Sequence, residues 1–500
     1  MNVGRLIKDN VSDFGEYPLL TFEDKEYSNI EIDHWSNKVG NALKSLGVKK
    51  GDRVVIQLPN RPEVVVSSVG IFKIGAVVIP LSFLYSAEET AYIYQDSGPV
   101  VIISATEFME KVSRGKAAAP SIKHVISVDE VPDTLLFKDI VDKSSDKLEM
   151  EDTADDELAA LLYTAGTTGR PKGVMLAHQA LYANAEGQSE ILKGPLMHGD
   201  RLLSSLPLSH SYGMATMNAL FYGGMRWVLV RWFDTDLIFE AIQRHKVKIT
   251  TQVPTMFVYQ NMYPEPKKYD LSSIKYWISG SAPLNEETRK EFESKYPGKV
   301  YQGWGLTEAM ANNSCCPFDR PYKPGSIGRP LNGKMRVVDE DGKPLQVGEV
   351  GEIVVGGSVV MQGYWNKLEE TKEALQGGWL RTGDMGYMDE DGYYFIVERK
   401  KNMIIKAGEN IFPREIEEVI YQNPKVSEAA VVGVADQKYG EELKAFIVLK
   451  PGEKATEQEI IDFCGGKLTS FKTPKYAQFL DSLPKNPVGK ILYKDLRKMG

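Results

Sequence analysis

The 500-residue chain is longer than one ordinary core can organise, so two or more domains are expected, and its 42% hydrophobic residues suffice to fill them. Sixty basic residues against 68 acidic ones, spread without a basic arm, leave a net charge of −8 and argue against nucleic acid as a partner. Three cysteines, Cys315, Cys316 and Cys464, fit neither a disulfide framework nor a closed zinc site and suit a reducing cytoplasm. Met1–Arg5 leads into a mixed polar stretch and no run of about eighteen uncharged apolar residues occurs, so neither export nor a membrane span is expected.

From Tyr27 onward helical and strand periods alternate: Asn29–Leu46 reads as a helix, Asp52–Leu58 as a strand, Glu63–Ile74 as a helix and Ala76–Pro80 as a strand. Ser86-Ala87-Glu88-Glu89 has capping-box spacing and opens another helix ahead of a buried strand, Val100–Ser104. The alternation resumes with strand Trp227–Val230, helix Asp236–His245, strands Lys248–Gln252 and Ile274–Ser279, and helix Leu284–Lys295. Such alternation predicts an α/β fold with largely parallel sheets and a ligand site at the carboxyl ends of the strands.

Between Gly333 and Gly363 short strands broken by Asp-Gly and Gly-Gly turns predict a small β-rich subdomain. After Arg399 the texture changes again: helix Pro413–Tyr421, strands Glu428–Val434 and Lys444–Leu449, and helix Thr456–Lys467 predict a compact α+β domain. The charged run Glu398-Arg399-Lys400-Lys401-Asn402 is expected to stay solvated and let the chain swivel. The expected organisation is a large N-terminal domain of layered α/β subdomains over 1–399 and a small mobile domain over 400–500.

The segment Leu161-Leu162-Tyr163-Thr164-Ala165-Gly166-Thr167-Thr168-Gly169-Arg170-Pro171-Lys172-Gly173 puts small residues, threonine hydroxyls and two cations after an apolar run. Backbone N–H groups can approach an anion closely there, so the segment reads as a phosphate cradle. Its spacing does not match the Walker A pattern, which disfavours a P-loop kinase or GTPase. On composition alone a plain hairpin turn fits as well.

The same segment resembles the signature loop of the adenylate-forming superfamily: acyl- and aryl-CoA synthetases, peptide-synthetase adenylation domains and beetle luciferases. Further blocks resembling the family follow in its order: Leu206-Pro207-Leu208-Ser209-His210-Ser211-Tyr212-Gly213, Ser279-Gly280-Ser281-Ala282-Pro283 and Tyr301-Gln302-Gly303-Trp304-Gly305-Leu306-Thr307-Glu308-Ala309. After them come Gly378-Trp379-Leu380-Arg381-Thr382-Gly383-Asp384, Glu398-Arg399-Lys400-Lys401, Lys406-Ala407-Gly408-Glu409-Asn410 and Pro487-Val488-Gly489-Lys490-Ile491. The resemblance implies an enzyme that joins a carboxylic acid to AMP, releasing pyrophosphate, and then moves the acyl group to coenzyme A.

The resemblance also implies roles. Thr164, Gly166, Thr167, Thr168, Gly169 and Lys172 would cradle the phosphates of ATP, with Ala165 standing where serine is common. Thr307 would contact the α-phosphate and Glu308 would help hold Mg²⁺, a pairing of hard oxygens that suits the metal; the bland alternative is a helix cap with a first-turn glutamate. Trp304, between Gly303 and Gly305, would stack on the adenine, where the family more often has tyrosine, unless it is simply a core residue; Gly280, Ser281 and Ala282 would line the adenine edge. Asp384, expected in a turn, would accept from the ribose hydroxyls and Arg399 would add a second ribose or phosphate contact.

Lys401 matches the hinge position, where many relatives carry aspartate, and Gly408 lies on the face expected to admit pantetheine after the C-terminal domain turns. Lys490 would bridge the carboxylate and the α-phosphate, although nothing intrinsic separates it from Lys485, Lys494 or Lys498. His210, otherwise an ordinary core histidine, would position the substrate carboxylate, which is already ionised at neutral pH. Peptide-synthetase domains of the family that bind amino acids place an aspartate in the region matching His210–Gly213 to pair the amino group; none occurs here, so the resemblance does not imply an α-amino acid.

Tyr212, Met214, Ala282, Met310 and Ala311 suit an aliphatic chain, so a medium- or long-chain fatty acid is the expected substrate, an aromatic acid the alternative and a luciferase-like oxygenase a more distant one. A nonenzymatic nucleotide-binding scaffold would have no need of Lys490. The expected partners are the acid, ATP, Mg²⁺ and coenzyme A, with peripheral membrane contact and a monomer or homodimer left open.

Overall fold

Side-chain caps set several helix starts. Ser28 and Glu31 exchange hydrogen bonds with each other's backbone N–H and open the helix Asn29–Ser45; Ser86 and Glu89 do the same for Ala87–Ser97, which ends on left-handed Gly98. Each box satisfies N–H groups that a helix start otherwise leaves unpaired. The computed structural model describes every residue except 165–169, 194–195, 332, 408, 486–490 and 500. Among the described residues no helix is long and apolar enough to cross a membrane.

The alternation read from the sequence resolves into two sheets of the N-terminal domain. In one, Leu135–Leu136, His124–Ser127, Val101–Ser104, Arg53–Ile56, Val77–Pro80 and Leu158–Thr164 run parallel, and Lys172–Ala177 then turns back antiparallel. The other has a parallel heart in the order Arg226–Leu229, Arg201–Ser204, Ile249–Gln252, Tyr276–Ser279, Lys299–Leu306. Strands buried on both faces explain why these segments read as near-continuous apolar runs. Lys73, 2% exposed, ties the helix Pro62–Lys73 to its neighbour through Asp33 Oδ1 at 2.6 Å and Ser36 Oγ at 2.8 Å.

Three expectations change. The β-rich segment is wider than Gly333–Gly363: Lys334–Val338 and Gly351–Gly356 join Trp379–Met388, Tyr394–Arg399 and Ser326–Pro330, and the group extends the parallel sheet antiparallel through Ala311–Cys315. A helix, Arg5–Phe14, lies in the stretch read as mixed polar, with Leu6 and Ile7 buried. The run at Glu398 is not wholly solvated: Glu398 is 8% exposed, because its carboxylate accepts from the backbone N–H groups of Arg399 (2.7 Å) and Arg414 (3.0 Å).

A third sheet, Glu409–Ile411, Ile404–Lys406, Gly440–Leu449, Val426–Asp436 and Tyr476–Phe479, builds the small C-terminal domain with the helices Pro413–Tyr421 and Glu457–Gly465. Inside it Glu417 is buried, and its Oε1 accepts from Val431 N at 2.8 Å and the Tyr493 hydroxyl at 3.0 Å. Burial first, and then repulsion from Glu398, push the Glu417 carboxyl up to about 8. The folded protein then holds a proton that the unfolded chain, at 4.5, has already released, so stability falls as pH rises from about 4.5 to about 8. Thermal unfolding followed between about pH 5 and about pH 9 is expected to show that fall, and Glu417→Gln to flatten it; an unchanged slope in the variant would refute the assignment.

Gly305 meets the carbonyl of Ala311 so closely that a Cβ would lie 1.5 Å from its oxygen. Gly305→Ala must therefore displace one of two paired strands, and a loss of about 3 kcal/mol in denaturant unfolding is expected; a neutral variant would contradict this packing.

Candidate active site

The parallel strands deliver their carboxyl ends to one place. Arg201–Ser204 leads through Leu206–Ser209 to His210, which caps the helix Ser211–Gly223: its Nδ1 accepts from Tyr212 N at 3.2 Å. Tyr276–Ser279 leads into Gly280 and Ser281, and Lys299–Leu306 into a short 3-10 turn, Thr307–Ala309. A Cβ on Gly280 would sit 2.7 Å from the Tyr212 ring, and one on Gly213 2.2 Å from the Pro207 carbonyl oxygen, so backbone and ring pack with no room for side chains. Ser281, Met310 and Ala311 hold left-handed φ values of 71°, 52° and 67°, a strain that recurs where loops are shaped for ligands.

Thr307 is 9% exposed, and its hydroxyl lies 3.0 Å from that of Ser211, joining the two loops. The turn has no side-chain cap, so Thr307 is not the helix cap of the bland alternative. Glu308 Oε1 accepts from the Tyr364 hydroxyl at 2.9 Å, and Met361 N donates to the Glu308 carbonyl at 2.8 Å. Burial, and then the neighbouring Glu308 charge, raise the Tyr364 hydroxyl far above its ordinary range, so it remains a donor.

Gly363–Tyr364 pairs with the strand Lys172–Ala177, and the Lys172 ammonium stands 5.0 Å from the centre of the Tyr364 ring. Thr164 and Lys172 face one another at the ends of two antiparallel strands, as the hairpin reading expects, and Lys172 stands over the Tyr364 ring whose hydroxyl serves Glu308. Gly166, Thr167, Thr168 and Gly169 lie outside the described residues, as do Gly408 and Lys490.

Trp304 is 8% exposed within its strand, and its indole Nε1 donates to Asp384 Oδ2 at 2.9 Å. Asp384 lies not in a turn but in the strand Trp379–Met388, directly opposite Arg399, whose Nε is 2.6 Å from Asp384 Oδ1. The carboxylate is 2% exposed, and pairing with a guanidinium and an indole offsets its lost hydration. Lys401 is exposed, yet close enough to feel Arg399, Asp384 and Glu308; loss of surrounding water, then Arg399, lower its pKa while the two carboxylates oppose the shift.

The structure therefore gathers His210, Thr307, Glu308, Thr164, Lys172, Gly280, Gly303, Trp304, Asp384, Arg399 and Lys401 around the strand ends. Sequence reasoning missed Ser211 as a partner of Thr307 and missed Tyr364. The signal for Tyr364 was the aromatic pair Tyr364-Trp365 directly after Gly363, one residue beyond the boundary drawn for the β-rich segment. Among the described residues no group of three or more His, Cys, Asp or Glu could hold a metal on its own.

The family model for the AMP-binding enzyme matches residues 7–365, and that for the AMP-binding enzyme C-terminal domain matches residues 415–490. A long-chain-fatty-acid–CoA ligase of Bacillus subtilis is 36% identical over 98% of this chain and 93% of its own length. The 4-coumarate–CoA ligase 1 of Solanum tuberosum is 35% identical over 98% of this chain and 92% of its own. The structure of ATP-bound MatB from Rhodopseudomonas palustris superposes with a TM-score of 0.92 at 31% identity, covering all of this chain and 99% of that one. A site at the ends of parallel strands, in a chain matched over nearly its full length by such relatives, means that the chain belongs to the AMP-binding enzyme family, in its acid–CoA ligase branch.

Proposed function

We propose that this acid–CoA ligase acts on a medium- or long-chain fatty acid, using the cluster at the strand ends to form the acyl-adenylate. A carboxylate oxygen attacks the α-phosphorus of ATP, the bond to the departing pyrophosphate breaks, and the thiol of coenzyme A later displaces AMP from the mixed anhydride. Attack of one anion on another is slow without help, so the chain must hold both partners and offset their repulsion.

The observation that carries the choice of acid is a narrow pocket of about 30 Å³ beside the Tyr212 ring, with Leu192, Leu202, Leu220, Ile278 and Leu331 in its walls. Leu192 also lines an open cleft of about 610 Å³ edged by Phe14, Tyr182 and Met197 and, toward solvent, by Arg5, Asp9, Asp13 and Lys193. An aliphatic chain that turned Leu192 aside would find room beyond it, with each methylene buried worth about 0.8 kcal/mol. A second reading, an aromatic acid bearing a hydroxyl, is favoured by the Tyr212 hydroxyl and Thr251 Oγ1, both buried at the same pocket with no partner among the described residues.

For the nucleotide, Thr164 and Lys172 at the hairpin mouth would hold phosphate oxygens, and Thr307 would donate to the α-phosphate. Asp384 already serves Trp304 and Arg399, but a carboxylate has about four acceptor sites, so ribose hydroxyls could add on the partly exposed Arg399 side. The Trp304 edge fixed by Asp384 would set the ring plane on which adenine stacks. Glu308 offers the hard oxygen that Mg²⁺ prefers, and a single carboxylate suffices for an ion that takes its other ligands from phosphates and water; once bound it supplies charge neutralisation there. His210 would orient the substrate carboxylate. The three buried, unpaired cysteines suit a reducing cytoplasm.

Lys490 would neutralise the charge building between carboxylate and α-phosphate, and a turn of the C-terminal domain about Lys401 would then replace it with the face carrying Ala407 and Gly408. Lys490→Ala is expected to abolish acid-dependent ATP–pyrophosphate exchange while still converting supplied acyl-adenylate to thioester; equal loss of both steps would refute this division. AMP release measured across aliphatic and aromatic acids with coenzyme A present is expected to rise with aliphatic chain length, whereas a maximum with hydroxylated aromatic acids would replace the fatty acid with the second reading.

A further inference from the structure

Glu308 is held from a single short segment. Met361 N donates to its carbonyl at 2.8 Å, and three residues further on the Tyr364 hydroxyl donates to its Oε1 at 2.9 Å. The turn Thr307–Ala309 that carries the glutamate has no side-chain cap, and Glu308 is only partly buried. Packing alone would leave its side chain several staggered rotamers, so the phenol contact is what sets its direction.

The holder is itself fixed on both sides. Gln362 N donates to the Met175 carbonyl at 2.9 Å and Trp365 N to the Gly173 carbonyl at 2.7 Å, flanking the pairing of Tyr364 with Val174. Tyr364 N donates to Thr371 Oγ1 at 2.9 Å, and the Trp365 indole Nε1 donates to the Asp96 carbonyl at 3.0 Å. Burial, and then the Glu308 charge, keep the Tyr364 hydroxyl protonated well above its ordinary range, so it donates throughout. Lys172 lies over the same ring, its ammonium 5.0 Å from the centre. One rigidly mounted phenol thus serves both a carboxylate and a cation.

We infer that Tyr364 is a positioning residue for Glu308, fixing the carboxylate in the direction from which it can take the Mg²⁺ that accompanies ATP. This rests on the reading that Glu308 holds the metal. A donor on one oxygen leaves the remaining lone pairs of the carboxylate for a cation. Groups that orient a metal ligand in this way typically change metal affinity about tenfold to about a hundredfold when they are removed. Metal-free ATP gains nothing from the placement of a carboxylate, so the effect belongs to the metal complex alone.

Tyr364→Phe keeps the ring under Lys172 and removes the donor. In calorimetric titration of the full chain with ATP it is expected to weaken binding in saturating Mg²⁺ between about tenfold and about a hundredfold, and to leave binding in EDTA at the parent value. In a Glu308→Gln background the same change should weaken binding no further, and a melting temperature for each variant reports folding. Affinity in Mg²⁺ unchanged by Tyr364→Phe, binding weakened alike in Mg²⁺ and EDTA, or the same loss in the Glu308→Gln background would overturn the inference. Glu308→Gln alone separates the two failures: if it binds ATP in Mg²⁺ as the parent does, the metal assignment falls and the inference with it; if it weakens that binding while Tyr364→Phe does not, the positioning role alone falls.

Discussion

A buried carboxylate that must stay paired organises the centre of the molecule. Asp384 is 2% exposed and is shared between the indole of Trp304 and the guanidinium of Arg399. Those three residues come from the end of the parallel sheet, from its antiparallel extension and from the strand that leads to the C-terminal domain. Removing one partner would leave an uncompensated charge in a nearly dry setting, which costs several kcal/mol. The pairing therefore orients the end of the strand Tyr394–Arg399, and Glu398 beside it accepts from the backbone of Arg414, a contact that the proposed turn about Lys401 would have to release.

The same constraint shapes the electrostatics of the candidate site. Glu308 and Asp384 are balanced by Arg399, Lys401 and, through the Tyr364 ring, Lys172, so cations already stand where the proposed phosphates would add negative charge. On the other side of Tyr212 the walls turn apolar, toward Leu192. In the proposed reading, carboxylate chemistry and chain recognition would be separated by one aromatic ring, against which Gly280 is pressed.

Much of the framework was legible because it rests on local signals. The helix Pro413–Tyr421 was read with its observed bounds, and the Ser86–Glu89 box forms as its spacing predicts, since both depend on residues within one or two turns. What was missed depends on distant partners. Glu398 looked like part of a solvated charge run, and its burial follows from an N–H group of Arg414 that its neighbours do not reveal. Asp384 after Thr382-Gly383 looked like a turn residue, but the strand opposite it supplies Arg399. Tyr364 reaches Glu308 only because a two-residue strand pairs with the far arm of the hairpin. Lys490 was singled out by resemblance alone, because its charge and setting in the chain match those of other lysines nearby.

In the proposed reading the buried Asp384 pairing is also where the nucleotide sits. That reading is tested most directly by a crystal structure of the protein with ATP and Mg²⁺. Ribose oxygens within hydrogen-bond distance of the Asp384 carboxylate, with a phosphate oxygen on the Thr307 hydroxyl, are the expected result. A nucleotide bound elsewhere, with Asp384 still closed between Trp304 and Arg399, would contradict it.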